Sequence, residues 1–357
     1  MLIVPVAALS LTGLIQAQED QTNAILKPMF TVLHPKPDAN LVQPAVKVPT
    51  WSGSYTYKGT EYSYVMVGKA PGSNATTTVP VYIIPVKIVI KTSTFDPSHV
   101  LTNGKTVVQN TVDSPLFDST TTYVQGGVDV GTTQYIDAYQ RANFWGKGAA
   151  HPNYHLLLGG PTVLAEQTLT PPASESSTGT AFGFTAGLVN INWFDSKVQS
   201  LITSLKIPAD VFPIFLMYDV YLSNTSGLSG CCIGGYHSFT GIQGYAAAAY
   251  VDHVGAFAQD VEALSHEIAE WADDPETNNT DVPALCGEQG NDSRILEVGD
   301  PLEDNPNYGG YPYTVNGFQY TLQDLVTLPY FGAPPSTSVN KWFTFQGESL
   351  TVCQNGG

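Results

Sequence analysis

Basic residues are scarce in this chain of 357 residues. It has 14 Lys and Arg against 31 Asp and Glu, which gives a formal net charge of −17 at pH 7. Such a charge repels phosphate backbones and argues against nucleic acid as a partner. Charged residues make up only 13% of the chain and hydrophobic residues 43%. A disordered chain is therefore excluded, because disorder needs low hydrophobicity and high charge.

Long apolar stretches are also missing after the N-terminus. Residues 2–15 form one apolar run, which is too short for a membrane span and is interrupted by Pro5 and Gly13. The run has the length of a signal-peptide core, although no Lys or Arg precedes it. We expect a signal peptide at 1–17, cleaved after Ala17, a secreted or periplasmic protein, and no membrane span. The alternative is a buried N-terminal segment.

Cysteine is rare: the chain has four, and no Cys-x-x-Cys pair occurs. A zinc site built from thiolates is therefore not expected. In an oxidising compartment four cysteines allow two disulfides in three connectivities. Cys231 and Cys232 are adjacent and poorly placed to bond to each other. We expect at least one bridge from this pair to Cys286 or Cys353.

Turn-forming and aromatic residues are abundant, with 33 Gly, 25 Pro, 19 Tyr and 15 Phe. This composition favours strands joined by many turns. Residues 18–50 are rich in proline and are expected to form an irregular N-terminal arm, followed by a β-rich half at 51–175. Residues 176–357 are expected to be the α/β half that carries the site. The two halves are either separate units or one continuous domain.

Local patterns predict individual elements. Strict alternation around Lys58-Gly59 predicts a β-hairpin within 54–67. Residues 194–206 have the periodicity of an amphipathic helix. Residues 244–251 are predicted to form a strand. The four alanines at 246–249 would leave room for an extended peptide beside a cleft.

The most informative helix is predicted over 257–272. Apolar residues recur there at helical spacing, so about one face is expected to be buried. The opposite face carries Glu262, His266 and Glu270 in successive steps of four residues. Such a face is either a solvated acidic surface or a site.

Residues 266–270 read His-Glu-Ile-Ala-Glu, the layout of zincin metallopeptidases with glutamate replacing the second histidine. Residues four apart lie one above the other on a helix, so His266 and Glu270 can bind one ion. Glu267 is rotated by about a quarter turn and can take a proton from a metal-bound water. We therefore expect Glu267 to be the catalytic base.

Further candidate residues lie on both sides of this helix. Glu297 is expected to be the third metal ligand, and Asp300 is either the alternative ligand or a group that orients His266. His237 has two interpretations. It polarises a substrate carbonyl or binds the metal, or it is a packed loop histidine.

These residues also carry a family resemblance. The Ser-His-Glu-x-x-Glu segment at 265–270, the Asp-Pro pair at 274–275, Glu297 and Asp300 resemble the EXORDIUM / phosphate-induced family of secreted proteins. The Tyr-His-Ser segment at 236–238 is similar to an aromatic-His-Ser/Thr stretch of that family. The chain also resembles exported bacterial proteins with SHExxEWxxDP and EVGDPL motifs. The resemblance implies a secreted protein with a metal-type site.

The sequence as a whole predicts an α/β (α+β) fold: a zincin-like mixed twisted sheet with an active-site helix, preceded by a β-rich N-terminal half. The predicted function is that of an exported zincin-like metallopeptidase acting on a peptide or another extracellular polymer. Zinc is the expected ion, and the two carboxylate ligands also suit Mn²⁺ or Ca²⁺.

Two alternatives to this function remain. One is a non-enzymatic extracellular protein in which the same residues hold a structural ion or form a hydrogen-bond network. The other is a glycoside hydrolase that uses two carboxylates.

Overall fold

A computed structural model gives the fold of most of the chain. The residues that it describes are 26–34, 42, 44–125, 128–148, 152–280, 295–303, 305–328, 331–332 and 343–344. The predicted signal peptide at 1–17 lies outside these residues, as do Cys286 and Cys353.

Strands greatly outnumber helices. The strands are β1 Met29–Leu33, β2 Thr50–Tyr57, β3 Thr60–Val67, β4 Thr76–Val79, β5 Val81–Ile90, β6 Ser93–Phe95, β7 Thr122–Gln125, β8 Val128–Thr132, β9 His155–Leu158, β10 Thr162–Val163, β11 Gln167–Leu169, β12 Ser176–Ala181, β13 Phe184–Asn190, β14 Phe212–Tyr218, β15 Val220–Ser223, β16 Cys231–Phe239, β17 Gly244–Tyr250, β18 Gly310–Val315, β19 Phe318–Gln323, β20 Val326–Thr327 and β21 Phe343–Thr344. The α-helices are α1 Val107–Val112, α2 Tyr135–Asn143, α3 Trp145–Gly148, α4 Ile191–Ser204 and α5 Glu262–Asp273.

The predicted α/β class with a zincin-like sheet is wrong. Among the described residues the protein is mostly β, with 41% strand and 21% helix, and a large mixed sheet is nearly closed into a barrel. The strand-rich character expected only of the first half continues beyond residue 176, where the described residues contain just two α-helices, α4 and α5. The helix with the His-Glu-x-x-Glu segment exists as α5, but it packs on this barrel-like sheet.

The main sheet runs in the order β10-β5-β14-β17-β16-β15-β13-β12, with β1 paired to β16 and with β6 and β11 paired to β5. Its pairs are mixed: β5, β14 and β17 run parallel, whereas β16 is antiparallel to β17 and β15. The end strand β12 lies close to β5. This proximity brings the sheet near closure.

Strand β17 lies inside the sheet and has a paired strand on each of its two edges. Ala246 pairs with Ile214 of β14 on one side and with His237 of β16 on the other. An extended peptide can add only to a strand with a free edge. The expected peptide-binding role of residues 246–249 is therefore wrong. Their small side chains instead let α5 pack against β17 and β16.

The predicted hairpin is confirmed. Strands β2 and β3 pair in antiparallel register around Lys58 and Gly59, whose φ angles are 48° and 85°. Two consecutive positive φ values are typical of the tight turn whose twist matches that of the flanking strands. The hairpin contacts α5 through β3, so the first half of the chain supports the helix of the second half.

Part of the predicted irregular arm belongs to the main sheet. Strand β1 runs parallel to β16, with Val32 opposite His237 and Leu33 opposite Ser238. The backbone of Lys27 also exchanges hydrogen bonds with Cys231 and Cys232. The proline-rich composition of 18–50 therefore concealed a short strand that depends on a distant partner.

The disulfide prediction is also wrong for the two adjacent cysteines. Cys231 and Cys232 are bonded to each other at the start of β16, so neither is free to bridge to Cys286 or Cys353. Both are buried. As expected, none of the helices in the described ranges is long and apolar enough to cross a membrane.

Candidate metal centre

Helix α5 is buried along its whole length. Trp271, on its apolar face, stacks on Phe212 of β14 with 3.7 Å between ring centroids. On the other face, His266, Glu267 and Glu270 each have 0% relative exposure. The acidic face is therefore not a solvated surface, which was one of the two interpretations of the sequence.

Two glycines let neighbouring backbone approach this face closely. A Cβ at Gly235 of β16 would lie 2.9 Å from the Cγ of Glu267, and a Cβ at Gly299 would collide with the ring of His266. Real Cβ atoms essentially never come so close to another heavy atom. The space around both side chains is thus set by backbone, and a side chain at either glycine would displace them.

One group of donors, which we call the His266 group, consists of His266, Glu270 and Asp300. The Nε2 atom of His266 lies 2.9 Å from Oε1 of Glu270 and 3.4 Å from Oδ1 of Asp300. The backbone N–H of Gly299 donates to the same Oε1 at 3.1 Å. One ligand atom from each residue lies within 4.8 Å of the others, which is close enough for all three to bind one ion.

A second group, the His237 group, consists of His237, Glu267 and Glu270. The Nδ1 atom of His237 lies 3.3 Å from Oε2 of Glu267 and 3.7 Å from Oε2 of Glu270. These donors also meet the 4.8 Å criterion. Glu297 lies next to this group, with its Oε1 4.0 Å from Nε2 of His237.

Many of these donor atoms are buried without a hydrogen-bond partner. Among the described residues these atoms are Nε2 of His237, both ring nitrogens of His266, Oε1 of Glu267, Oε2 of Glu270, Oε1 of Glu297 and Oδ1 of Asp300. An unpartnered buried polar atom costs about 1–3 kcal/mol, and more when it is charged. Such a concentration of them in one place indicates a missing ligand.

Burial and mutual repulsion dominate the electrostatics. Burial raises the pKa of Glu267, Glu270 and Glu297 well above the ordinary value, and neighbouring carboxylates add to the shift. Burial and the charge of the neighbouring His266 lower the pKa of His237 to about 3. Burial also lowers the pKa of His266, but its contact with Asp300 and the charge of Glu267 more than offset this and raise it. Neutral His237 is in the protonation state that binds metals.

Strand β1 and aromatic side chains cover one side of the site. The ring of Phe30 lies 4.0 Å from that of His266 and 4.8 Å from that of Phe257, between centroids. The backbone N–H of Phe30 donates to Oε1 of Glu303 at 2.5 Å. This cover keeps the ring of His266 away from solvent.

The structure brings the six residues named from the sequence into one cluster: His237, His266, Glu267, Glu270, Glu297 and Asp300. Within it, Asp300 rather than Glu297 lies beside His266. Glu297 instead contacts Glu270 and lies 4.0 Å from Nε2 of His237. His237 sits on strand β16, so it is not a loop histidine.

Four residues of this site were not identified from the sequence. Phe30 reaches the cluster because β1 pairs with β16, and Glu303 does so because it directly follows the short 3-10 helix Asp300–Leu302. Gly235 and Gly299 belong to the site because their backbone lies against Glu267 and His266, where a side chain would collide. Gly299 lies between the two predicted acids, Glu297 and Asp300, and this spacing is the one clue that could have identified it.

The buried His, Glu and Asp groups could therefore hold a metal ion. Comparison with known proteins adds no family to this geometry. No protein-family model matches the chain, and neither the curated proteins nor the solved structures compared with it give a match.

Proposed function

We propose that this chain is an exported metal-dependent hydrolase, in which the His266 group binds a divalent ion that activates water to cleave a peptide or another extracellular polymer. The observation that carries the proposal is the convergence of buried, unpartnered nitrogen and carboxylate atoms around Glu270. Buried charges in proteins are normally paired or bound to metals. The resemblance to the EXORDIUM / phosphate-induced family supports the same kind of site and its export.

The ligand types favour certain ions and a moderate reactivity. A bound divalent ion lowers the pKa of its water and polarises a carbonyl oxygen. Two carboxylates and one imidazole donate more negative charge than a site with two histidines. They reduce the Lewis acidity of the ion and also suit harder ions. Zinc remains the proposed ion, with Mn²⁺ and Ca²⁺ as the ions to compare with it.

The predicted role of Glu267 as the base requires a carboxylate that is free of metal. Its Oε2 contacts His237 and its Oε1 is unpartnered, so both a base and a ligand are compatible with its position. Glu267→Gln separates the two roles. Replacing a base leaves the metal content unchanged and lowers the rate by about 10²–10⁴, whereas replacing a ligand removes metal.

A second candidate function is a structural ion in a non-enzymatic extracellular protein. Its support is the complete burial of His237, His266, Glu267 and Glu270, because a polymer needs access to a hydrolytic ion. In this alternative the ion stabilises the fold and no water position is exchangeable.

The test combines metal analysis with digestion. Secreted protein is purified, treated with chelator, reloaded with Zn²⁺, Mn²⁺ or Ca²⁺, and incubated with a peptide library. The wild type is expected to bind metal and to cleave only when loaded, while His266→Ala loses the ion of the His266 group and, with it, cleavage. The matched control is His253→Ala, since His253 is a partly exposed histidine that contacts Asp219 outside the site.

The results separate the candidates. Metal that binds firmly without any cleavage supports the structural ion and contradicts the hydrolase. Absence of metal from the wild type contradicts both. N-terminal sequencing of the secreted material tests export and is expected to begin near Gln18; an intact N-terminus on a retained protein contradicts it.

A further inference from the structure

The carboxylate of Glu270 lies between two histidines. Its Oε1 is 2.9 Å from Nε2 of His266, and its Oε2 is 3.7 Å from Nδ1 of His237. Each oxygen therefore belongs to a different donor group. A carboxylate that presents its two oxygens to two sets of ligands has the geometry that bridges a pair of metal ions.

Each side of this carboxylate has its own further acid. Asp300 lies beside His266 at 3.4 Å, and Glu267 lies beside His237 at 3.3 Å. The arrangement is nearly symmetric, with one histidine and one terminal carboxylate on each side of Glu270. A single ion on the His266 group leaves the His237 group without a cation.

The charge of the cluster also exceeds what one ion can neutralise. Glu267, Glu270, Glu297 and Asp300 are four carboxylates in a space where both histidines and three of the four acids are almost fully buried. One divalent ion balances two of their negative charges. Two divalent ions balance all four, so the donor set of four carboxylates and two histidines matches two ions.

The His237 side has its own unpartnered atoms. Within the described ranges, Oε1 of Glu267 and Oε2 of Glu270 have no hydrogen-bond partner, and both side chains are 0% exposed. The Nδ1 atom of His237 faces these two carboxylates, whereas its unpartnered Nε2 faces Glu297. An ion bound only by Oε1 of Glu270 on the His266 side would leave both carboxylate oxygens buried and unsatisfied.

We propose that the cluster binds two divalent ions bridged by Glu270, one on His266 and Asp300 and the other on His237 and Glu267. The proposal deepens the metal site proposed above, but its test does not depend on activity. Ions in two-metal sites lie about 3.5–4 Å apart and clamp the attacking and leaving oxygens of a hydrolytic reaction. Glu267 is then a ligand, and Glu297 is placed beside the second ion.

The experiment counts ions. Chelator-treated full-length protein is reloaded with Zn²⁺ or Mn²⁺, freed of excess metal, and analysed for metal per chain by mass spectrometry. The wild type is expected to hold two ions. His237→Ala and Glu267→Gln are each expected to hold one, and Asp300→Ala also one. Glu270→Ala is expected to lose both. His253→Ala, the control outside the cluster, keeps two.

A spectroscopic measurement on the wild type does not depend on the folding of any variant. Two Mn²⁺ ions bridged by a carboxylate give an exchange-coupled electron paramagnetic resonance spectrum, whereas a lone Mn²⁺ gives an isolated six-line signal. One ion per chain, with the isolated signal and no loss in Glu267→Gln, overturns the two-ion site and leaves the hydrolase proposal standing. No bound ion at all overturns both.

Discussion

Two sets of buried acids on the same side of the sheet differ in one respect. Asp273, the last residue of α5, is as buried as Glu267 and Glu270. However, its Oδ2 accepts from the hydroxyl of Tyr139 at 2.8 Å and its Oδ1 from the amide of Gln140 at 2.5 Å. The candidate metal cluster has no such donors for several of its oxygens.

Asp260, just before α5, belongs to the same satisfied set. Its Oδ1 accepts from the backbone N–H of Val261 at 2.5 Å and from that of Thr321 at 2.8 Å. The fold can therefore supply hydrogen bonds to a buried carboxylate, and burial alone does not identify a metal site. The candidate site differs in combining several unpartnered oxygens with unpartnered histidine nitrogens that face one another.

Among the tests of this comparison, metal removal is expected to change the stability of the protein most. Binding to the folded state alone stabilises a protein by about 4 kcal/mol at a free ion concentration 1,000 times the dissociation constant. Chelation should therefore lower the unfolding midpoint of the wild type by several degrees, measured by calorimetry at fixed protein concentration. His266→Ala should respond much less. An equal response of both proteins would place the ion elsewhere.

Asp273→Ala is expected to have an intermediate effect and to leave the metal in place. The substitution leaves the amide of Gln140 without its carboxylate acceptor, at a cost of about 1–3 kcal/mol. Urea unfolding of the loaded protein gives the stability, and mass spectrometry gives the metal content. Loss of metal from this variant would show that the two sets of acids are not independent.

The pH dependence of stability reports on Asp260, one of the buried acids that have hydrogen-bond donors. Burial raises the pKa of Asp260 to about 7, despite its hydrogen bonds from backbone N–H groups. Between its unfolded and folded pKa values the folded state binds more protons than the unfolded state. The stability from this group is thus complete at low pH and is lost as pH rises toward 7, by about 1.4 kcal/mol per pH unit.

The measurement compares wild type with Asp260→Asn by urea unfolding from pH 5 to pH 8, both with metal bound. The amide keeps an oxygen for the N–H groups of Val261 and Thr321 but does not titrate in this range. The slope of stability against pH is therefore expected to be shallower in the variant. Identical slopes would assign the dependence to other groups.

The smallest effect on stability is expected when the cation that pairs with partly exposed acids is removed. Lys87 lies 2.8 Å from Oδ2 of Asp96 and 2.5 Å from Oε1 of Glu166, and all three side chains are partly exposed. Burial raises the pKa of Asp96, but the hydrogen bonds from Lys87 and Ser98 together outweigh it and lower the pKa to about 2. Lys87→Met should lower the urea midpoint slightly at low salt, and the difference should disappear in 1 M salt, because exposed ion pairs are screened. A difference that persists in salt would contradict this.

More of the candidate site than of the fold could be predicted from the sequence. The i, i+4 spacing of His266 and Glu270 is local and survives any arrangement of the sheet around it. The distances that join Asp300 to His266 and His237 to Glu267 depend on long-range packing, so the choice between Glu297 and Asp300 stayed open. The hairpin at Lys58-Gly59 was predictable for the same local reason.

The prediction of the fold class was wrong because the sequence pattern does not show which strands pair with one another. The alanines at 246–249 are compatible with an edge strand and with a central one, and only the pairing with β14 and β16 decides between them. The proline-rich segment around Phe30 gave no sign that it forms a strand, because its partner lies far along the chain. The adjacency of Cys231 and Cys232 is also a local feature. Here the general expectation that neighbouring cysteines do not bond to each other gave the wrong prediction.

The contact of Phe30 with Glu303 has a consequence for how the molecule matures. The two residues are 273 positions apart, and contacts between such distant residues are generally slow to form because a long loop must close first. Strand β1 is thus expected to dock late, after α5 has packed on β16 and β17. Until then Phe30 does not cover His266, and an ion can enter from that side. The N-terminal strand would then be a late closure over the ring of His266, and the order of folding would set when the proposed ion can enter.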